Sequence, residues 1–145
     1  MTPVLIVDDE PSIRHLVGRW LGDGGYACAE ADSADAALAA MAATPAVVVF
    51  CDVQMPGHDG LWLTRQLRAQ YPTTSVVLAT GVTNVPPSVS MQSGVLAYLV
   101  KPFRRDTLLE ALQQALRWHE AAVHAGLKDH DSDKLDQWLN TLERQ

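Results

Sequence analysis

The sequence predicts an α/β fold: a doubly wound, five-stranded parallel sheet made of five βα repeats, with an extra C-terminal amphipathic helix. Three observations predict it. Short apolar runs alternate five times with helical stretches. The run Ala46-Val47-Val48-Val49-Phe50-Cys51 is apolar throughout, as a central parallel strand covered on both faces must be. Polar residues end four of the strand-like runs: Asp8-Asp9-Glu10, Asp52, Thr80 and Lys101.

The elements follow in order. Val4-Leu5-Ile6-Val7 reads as a buried strand ended by three acids. Residues 11–21 read as a helix with Ile13, Leu16, Val17, Trp20 and Leu21 on one face, stopped by Gly22, Gly24 and Gly25. A second strand spans 26–31. Ser33 is placed to cap an alanine-rich helix over 34–43, which Thr44-Pro45 breaks. The central strand over 46–51 leads into the loop Met55-Pro56-Gly57-His58, and a helix follows over 59–70. Strands are expected at 75–79 and 95–100, and a long last helix over 104–123 carries Leu108, Leu109, Leu112, Ala115 and Leu116 on its apolar side.

One domain therefore spans residues 1–123. Residues 124–145 lie outside the repeat: a polar linker, then Leu135, Trp138, Leu139 and Leu142 as one apolar helical stripe. A single short helix cannot bury such a stripe alone. It is expected to pack on the domain, on a second copy as a homodimer, or on further sequence. The tail is too short for a DNA-binding domain or a cyclic-nucleotide enzyme. Either the domain stands alone or the tail starts a helical linker in a longer protein. The helix running up to Glu143-Arg144-Gln145 favours the second.

Composition narrows the class. With 145 residues, 48% hydrophobic and 19% charged, the chain suits one globular domain. A net charge of −6, with 11 scattered Lys and Arg, argues against direct nucleic-acid binding. No apolar run approaches the ~20 residues of a membrane span. No basic segment with a cleavage site opens the chain, so no signal peptide is expected. Cys28 and Cys51 sit in apolar runs without metal-ligand spacing and are expected as buried free thiols of a cytoplasmic protein.

In a doubly wound sheet, ligands bind at the carboxyl edge of the strands. Asp8, Asp9, Asp52, Thr80 and Lys101 would converge there. Crowded carboxylates repel one another and call for a cation. Clustered Asp oxygens suit Mg²⁺, which keeps several waters and takes few protein ligands. An Asp carboxylate can accept a phosphoryl group. Such a group on Asp52 would gain from both the metal and Lys101.

Four segments in order, Val7-Asp8-Asp9-Glu10, the stretch from Asp52 through Met55-Pro56-Gly57 to Gly60, Ala79-Thr80-Gly81, and Tyr98-Leu99-Val100-Lys101-Pro102-Phe103, resemble response-regulator receiver domains of two-component signalling. The resemblance covers residues 3 to about 122. It implies the flavodoxin-like strand order 2-1-3-4-5 and a phosphorylation-dependent switch. Asp52 would be the phosphoacceptor. Mg²⁺ or Mn²⁺ would be held by Asp9, Asp52 and the Gln54 backbone carbonyl, with Asp8 acting through metal-bound water. Lys101 would pair with the phosphoryl group, and Lys101-Pro102 is similar to a bond that is usually cis in this family. Thr80 and Tyr98 would be the switch residues. The donor would be a phosphohistidine on a sensor kinase or phosphotransfer protein. The only catalysis would be transfer onto itself and hydrolysis of its own acyl phosphate. The readout surface would be the fourth helix, fifth strand and fifth helix.

The segment 82–95 departs from the family pattern. Pro86-Pro87 should delay the fourth helix, because Pro fits only its first turn. Three other readings compete. A phosphatase of the aspartyl-phosphate type needs a second acid two residues past its nucleophile, where Gln54 stands. A docking module without phosphorylation has no use for the complete acid, Thr and Lys set. A flavin site lacks a Ser/Thr-Gly phosphate loop after the first strand. His58 is expected to be an exposed loop residue, and the other histidines carry no metal pattern.

Overall fold

The computed structural model describes residues 3–81 and 94–126. Five strands, β1 (Pro3–Val7), β2 (Ala27–Ala31), β3 (Val48–Asp52), β4 (Ser75–Thr80) and β5 (Val95–Val100), form one parallel sheet in the order β2-β1-β3-β4-β5. The described helices are α1 (Pro11–Asp23), α2 (Ala34–Ala43), α3 (Gly60–Gln70) and α4 (Arg105–His124). The expected helix around Pro86-Pro87 and the extra helix carrying Trp138 lie outside the described residues.

Alternation along the strands splits the core into two layers. Leu5, Val7, Val49 and Cys51 face one side with Ala37 and Met41 of α2 and Leu63 and Leu67 of α3. Val4, Ile6, Val48 and Phe50 face the other with Val17 and Leu21 of α1 and Leu108, Leu112 and Ala115 of α4. Each fully buried Leu, Ile or Phe contributes roughly 1.5–3 kcal/mol. Covering both faces aligns the strand ends, and with them the polar residues, along one edge.

Local chemistry starts the helices where the sequence reading placed them. The Ser33 hydroxyl accepts from the Ala36 N–H at 3.1 Å, and the Asp59 carboxylate accepts from the Trp62 N–H at 2.8 Å. Caps of this kind are worth about 1 kcal/mol. Pro11 occupies the first turn of α1, where its missing N–H costs nothing. At the other end of α3, the buried Arg68 donates to the Thr74 and Pro72 carbonyls and lies 5.1 Å from the Trp118 ring centre. Gly94, at φ +84°, leaves room for that guanidinium, which a Cβ would strike.

Two expectations need correction. Cys28 is exposed rather than buried, because β2 is an edge strand that leaves Cys28, Ala29 and Glu30 open to solvent. Leu16 is 38% exposed, whereas its neighbours on the predicted stripe, Val17 and Leu21, are fully buried. The stripe is wider than the surface α1 covers.

Candidate functional site

Asp8 and Asp9 follow β1, and Asp52 closes the neighbouring β3. One carboxylate oxygen from each of the three lies within 4.8 Å of the others. Asp8 and Asp52 are buried, and Asp9 is the most open of the three. The fifth strand delivers the counter-charge. Lys101 Nζ stands 3.0 Å from Asp8 Oδ2 and 3.5 Å from Asp52 Oδ1. Its backbone N–H donates to the Thr80 carbonyl at 2.7 Å, and the Lys101-Pro102 peptide is cis. Phe103 anchors this turn, its ring edge-on to Phe50 at 5.7 Å and to Trp20 at 6.3 Å.

The three acids are not equivalent. Both oxygens of Asp8 are engaged: Oδ1 accepts the Glu10 N–H at 2.9 Å and Oδ2 accepts Lys101. Asp52 Oδ1 accepts the Gln54 N–H at 3.3 Å and faces Lys101. Among the described residues no donor reaches Asp52 Oδ2. Asp8 is therefore held by the protein, while Asp52 keeps an oxygen for new chemistry. Thr80, the last residue of β4, is fully buried at the same sheet edge. Tyr98, on β5, is half-buried against the core layer of α2 and α3. Gln54 sits in the loop after β3 with its side chain exposed.

Burial raises the Asp52 carboxyl from 3.8 to about 6. Lys101 pulls against that rise, and the Asp8 charge adds to it. Lys101 loses from burial, but its bond to Asp8 and the Asp52 charge outweigh the loss and hold it above its ordinary value. Burial first, and then the neighbouring Asp52, push the Cys51 thiol far up, so it stays protonated and inert.

The raised Asp52 value makes a prediction for Mg²⁺-free protein. The folded state binds this proton more tightly than the unfolded state. The stabilisation is complete below pH 4 and is lost as pH rises through about 6. Asp52→Asn should then stabilise the Mg²⁺-free protein at pH 8 by on the order of 2 kcal/mol, and by little at pH 4. Urea melts at the two pH values check this.

Two polar groupings escaped the sequence reading. The His58 ring stacks on Trp62 at 3.7 Å and 8°, and its Nδ1 lies 3.1 Å from Asp35 Oδ1. His58 is an exposed loop residue, as expected, and it also fastens the loop after β3 to both α2 and α3. No short motif signals that contact. Arg14 of α1 reaches back to the Asp8 carbonyl and across to Glu30. Its signal was present, since a cation near a helix N-terminus opposes the helix dipole unless something acidic holds it.

Residues 4–113 match the sequence profile described as response regulator receiver domain. The chain belongs to the response-regulator receiver family. It is 34% identical, over 97% of its own length, to the transcriptional regulatory protein AruR of Pseudomonas aeruginosa. It spans between 25% and 60% of the length of the first curated relatives it matches. The receiver domain of NtrX from Brucella abortus superposes with a TM-score of 0.73 at 37% identity, covering 79% of this chain and 98% of that one. TrrA from Thermotoga maritima, solved in complex with Mg²⁺ and beryllofluoride, gives 0.73 at 29% identity, with 79% and 99% covered. The predicted strand order and family are both found. Among the described residues of this receiver, no helix is long and apolar enough to cross a membrane.

Proposed function

We propose that this receiver is a Mg²⁺-dependent phosphorylation switch whose acceptor is Asp52. The observation that carries the reading is the Asp52 carboxylate: buried, beside two more acids, and facing Lys101. The donor set suits a hard divalent cation, Mg²⁺ or Mn²⁺. Three clustered carboxylates supply oxygens only, and the open Asp9 leaves room for water. Asp9, Asp52 and the Gln54 carbonyl are the proposed ligands. Asp8, whose oxygens already bind Lys101 and Glu10, acts through water. When bound, the cation neutralises charge on the transferring phosphoryl oxygens.

The donor is a phosphohistidine on a sensor kinase or phosphotransfer protein. An Asp52 oxygen attacks phosphorus, forming a P–O bond. The P–N bond breaks, its electron pair returns to the imidazole, and the ring takes up a proton. Lys101 then moves its contact from the Asp52 carboxylate to a phosphoryl oxygen, and the Thr80 hydroxyl donates to another. Those contacts exist in one state only, so the phosphate biases a two-state element, with Tyr98 as its second member. The chain turns over no external substrate beyond phosphoryl transfer to itself and hydrolysis of the acyl phosphate.

Residues 1–123 are the proposed receiver unit, in a cytoplasmic protein. AruR is by name a transcriptional regulator, which suggests an output carried by further sequence. The charge of −6 leaves DNA contact to that part and not to this one.

Beryllofluoride, a mimic of the phosphoryl group, tests the reading. With Mg²⁺ present it should change tryptophan emission saturably, and EDTA should reverse the change. An identical response without Mg²⁺, or none at all, rejects the site.

A further inference from the structure

We infer that Arg14 is a positioning residue for the metal-binding carboxylates, acting through the Asp8–Asp9 peptide. The inference rests on the Mg²⁺ reading of the site. Arg14 Nη1 donates to the Asp8 carbonyl at 2.7 Å, and its Nε pairs with Glu30 Oε1 at 3.0 Å. The Arg14 side chain is only 15% exposed. Its planar fork spans both acceptors, which a lysine ammonium cannot do in the same geometry. The Asp8 N–H is tied as well, to the Ala31 carbonyl at 3.2 Å. Glu30 and Ala31 both belong to β2, so α1 and β2 together hold the end of β1.

The held carbonyl belongs to the peptide plane that leads into Asp9. Among the described residues no donor reaches the Asp9 carboxylate. Its aim is therefore set by the backbone, and Arg14 fixes that backbone. Mg²⁺ demands near-ideal octahedral geometry, so a small rotation of this plane weakens binding. Groups that orient metal ligands typically account for 10–100-fold in affinity.

The test titrates Mg²⁺ alone into the full 145-residue chain by calorimetry. Thermal melts of the Mg²⁺-free protein run alongside. Arg14→Ala should weaken Mg²⁺ binding by roughly 10-fold or more. Arg14→Lys should lose an intermediate amount, and Glu30→Ala a few-fold, by releasing the anchor. At saturating Mg²⁺ the Arg14→Lys protein should take phosphoryl from acetyl phosphate at close to the wild-type rate. That split separates positioning from general damage, which would lower the melting temperature and the saturated rate together. Should Arg14→Ala fail to fold, Arg14→Lys and Glu30→Ala carry the comparison. Mg²⁺ affinities within twofold of wild type in the folded variants overturn the inference and leave the proposed function standing. A wild-type chain that binds no Mg²⁺ overturns both.

Discussion

Asp52→Asn is expected to abolish Mg²⁺-dependent phosphorylation completely. Wild-type protein incubated with Mg²⁺ and acetyl phosphate should gain the mass of one phosphoryl group, and the variant should gain none. Asn keeps the shape of the side chain and an oxygen for the Gln54 N–H that now bonds Asp52 Oδ1. It removes a buried charge that carries an energetic cost above pH 6. The variant should therefore fold at least as well as wild type without Mg²⁺, and a lost adduct cannot be blamed on unfolding. An amide lacks the anionic oxygen that attacks phosphorus. Mass spectrometry of the intact protein reads the outcome directly. A wild-type-sized adduct on the variant would place the acceptor elsewhere.

Gly60→Ala is expected to destabilise the fold by about 3 kcal/mol or more. A Cβ at Gly60 would lie 2.8 Å from the Val53 Cα, 2.9 Å from the Asp52 carbonyl carbon and closer still to the Asp52 carbonyl oxygen. All of these are backbone atoms, which cannot swing aside as a flexible side chain would. The Gly60 N–H also donates to the Val53 carbonyl at 2.9 Å, so the start of α3 is bonded across the very place the methyl must enter. Relief requires moving α3 away from the end of β3, which shifts Asp52 and Gln54 together. Phosphorylation should fall along with stability. Gly22→Ala is the control: it lies within α1 with no described residue within 4 Å of the added Cβ. There the helix preference for Ala should stabilise by about 0.5 kcal/mol. Urea midpoints compare the two.

Much of the site was legible because the sheet does the assembling. The runs Val4 to Val7, Val48 to Cys51 and Ser75 to Ala79 are apolar enough to be read as buried strands, and their polar terminators then had to share an edge. Asp8, Asp9, Asp52, Thr80 and Lys101 were placed together because each follows a strand-like run and parallel strands share a carboxyl edge. What the sequence does not display is which side chain answers which. Asp8 and Asp52 look alike in sequence, yet Asp8 is saturated by Glu10 and Lys101 while Asp52 retains an open oxygen.

The misreadings share a cause. Cys28 and Leu16 sit in apolar runs, but burial depends on what lies opposite. Among the described residues β2 has no strand on its outer side, and α1 covers less than its own stripe. The contacts of Arg14 and His58 were not anticipated for a different reason: their partners lie 16 and 23 residues away in the chain, a separation that periodicity cannot register. Gly60 could be read as the start of a helix, but its intolerance of a methyl comes from the backbone of Asp52 and Val53 packed against it.

The position of the phosphoryl group tests Asp52 as acceptor without an intermediary. Protein phosphorylated with Mg²⁺ and acetyl phosphate is reduced with borohydride, which converts an aspartyl phosphate to homoserine, then digested and mapped by mass spectrometry. Conversion is expected at Asp52 alone, and none when EDTA replaces Mg²⁺. Conversion at Asp8 or Asp9, or labelling that persists without Mg²⁺, would contradict it.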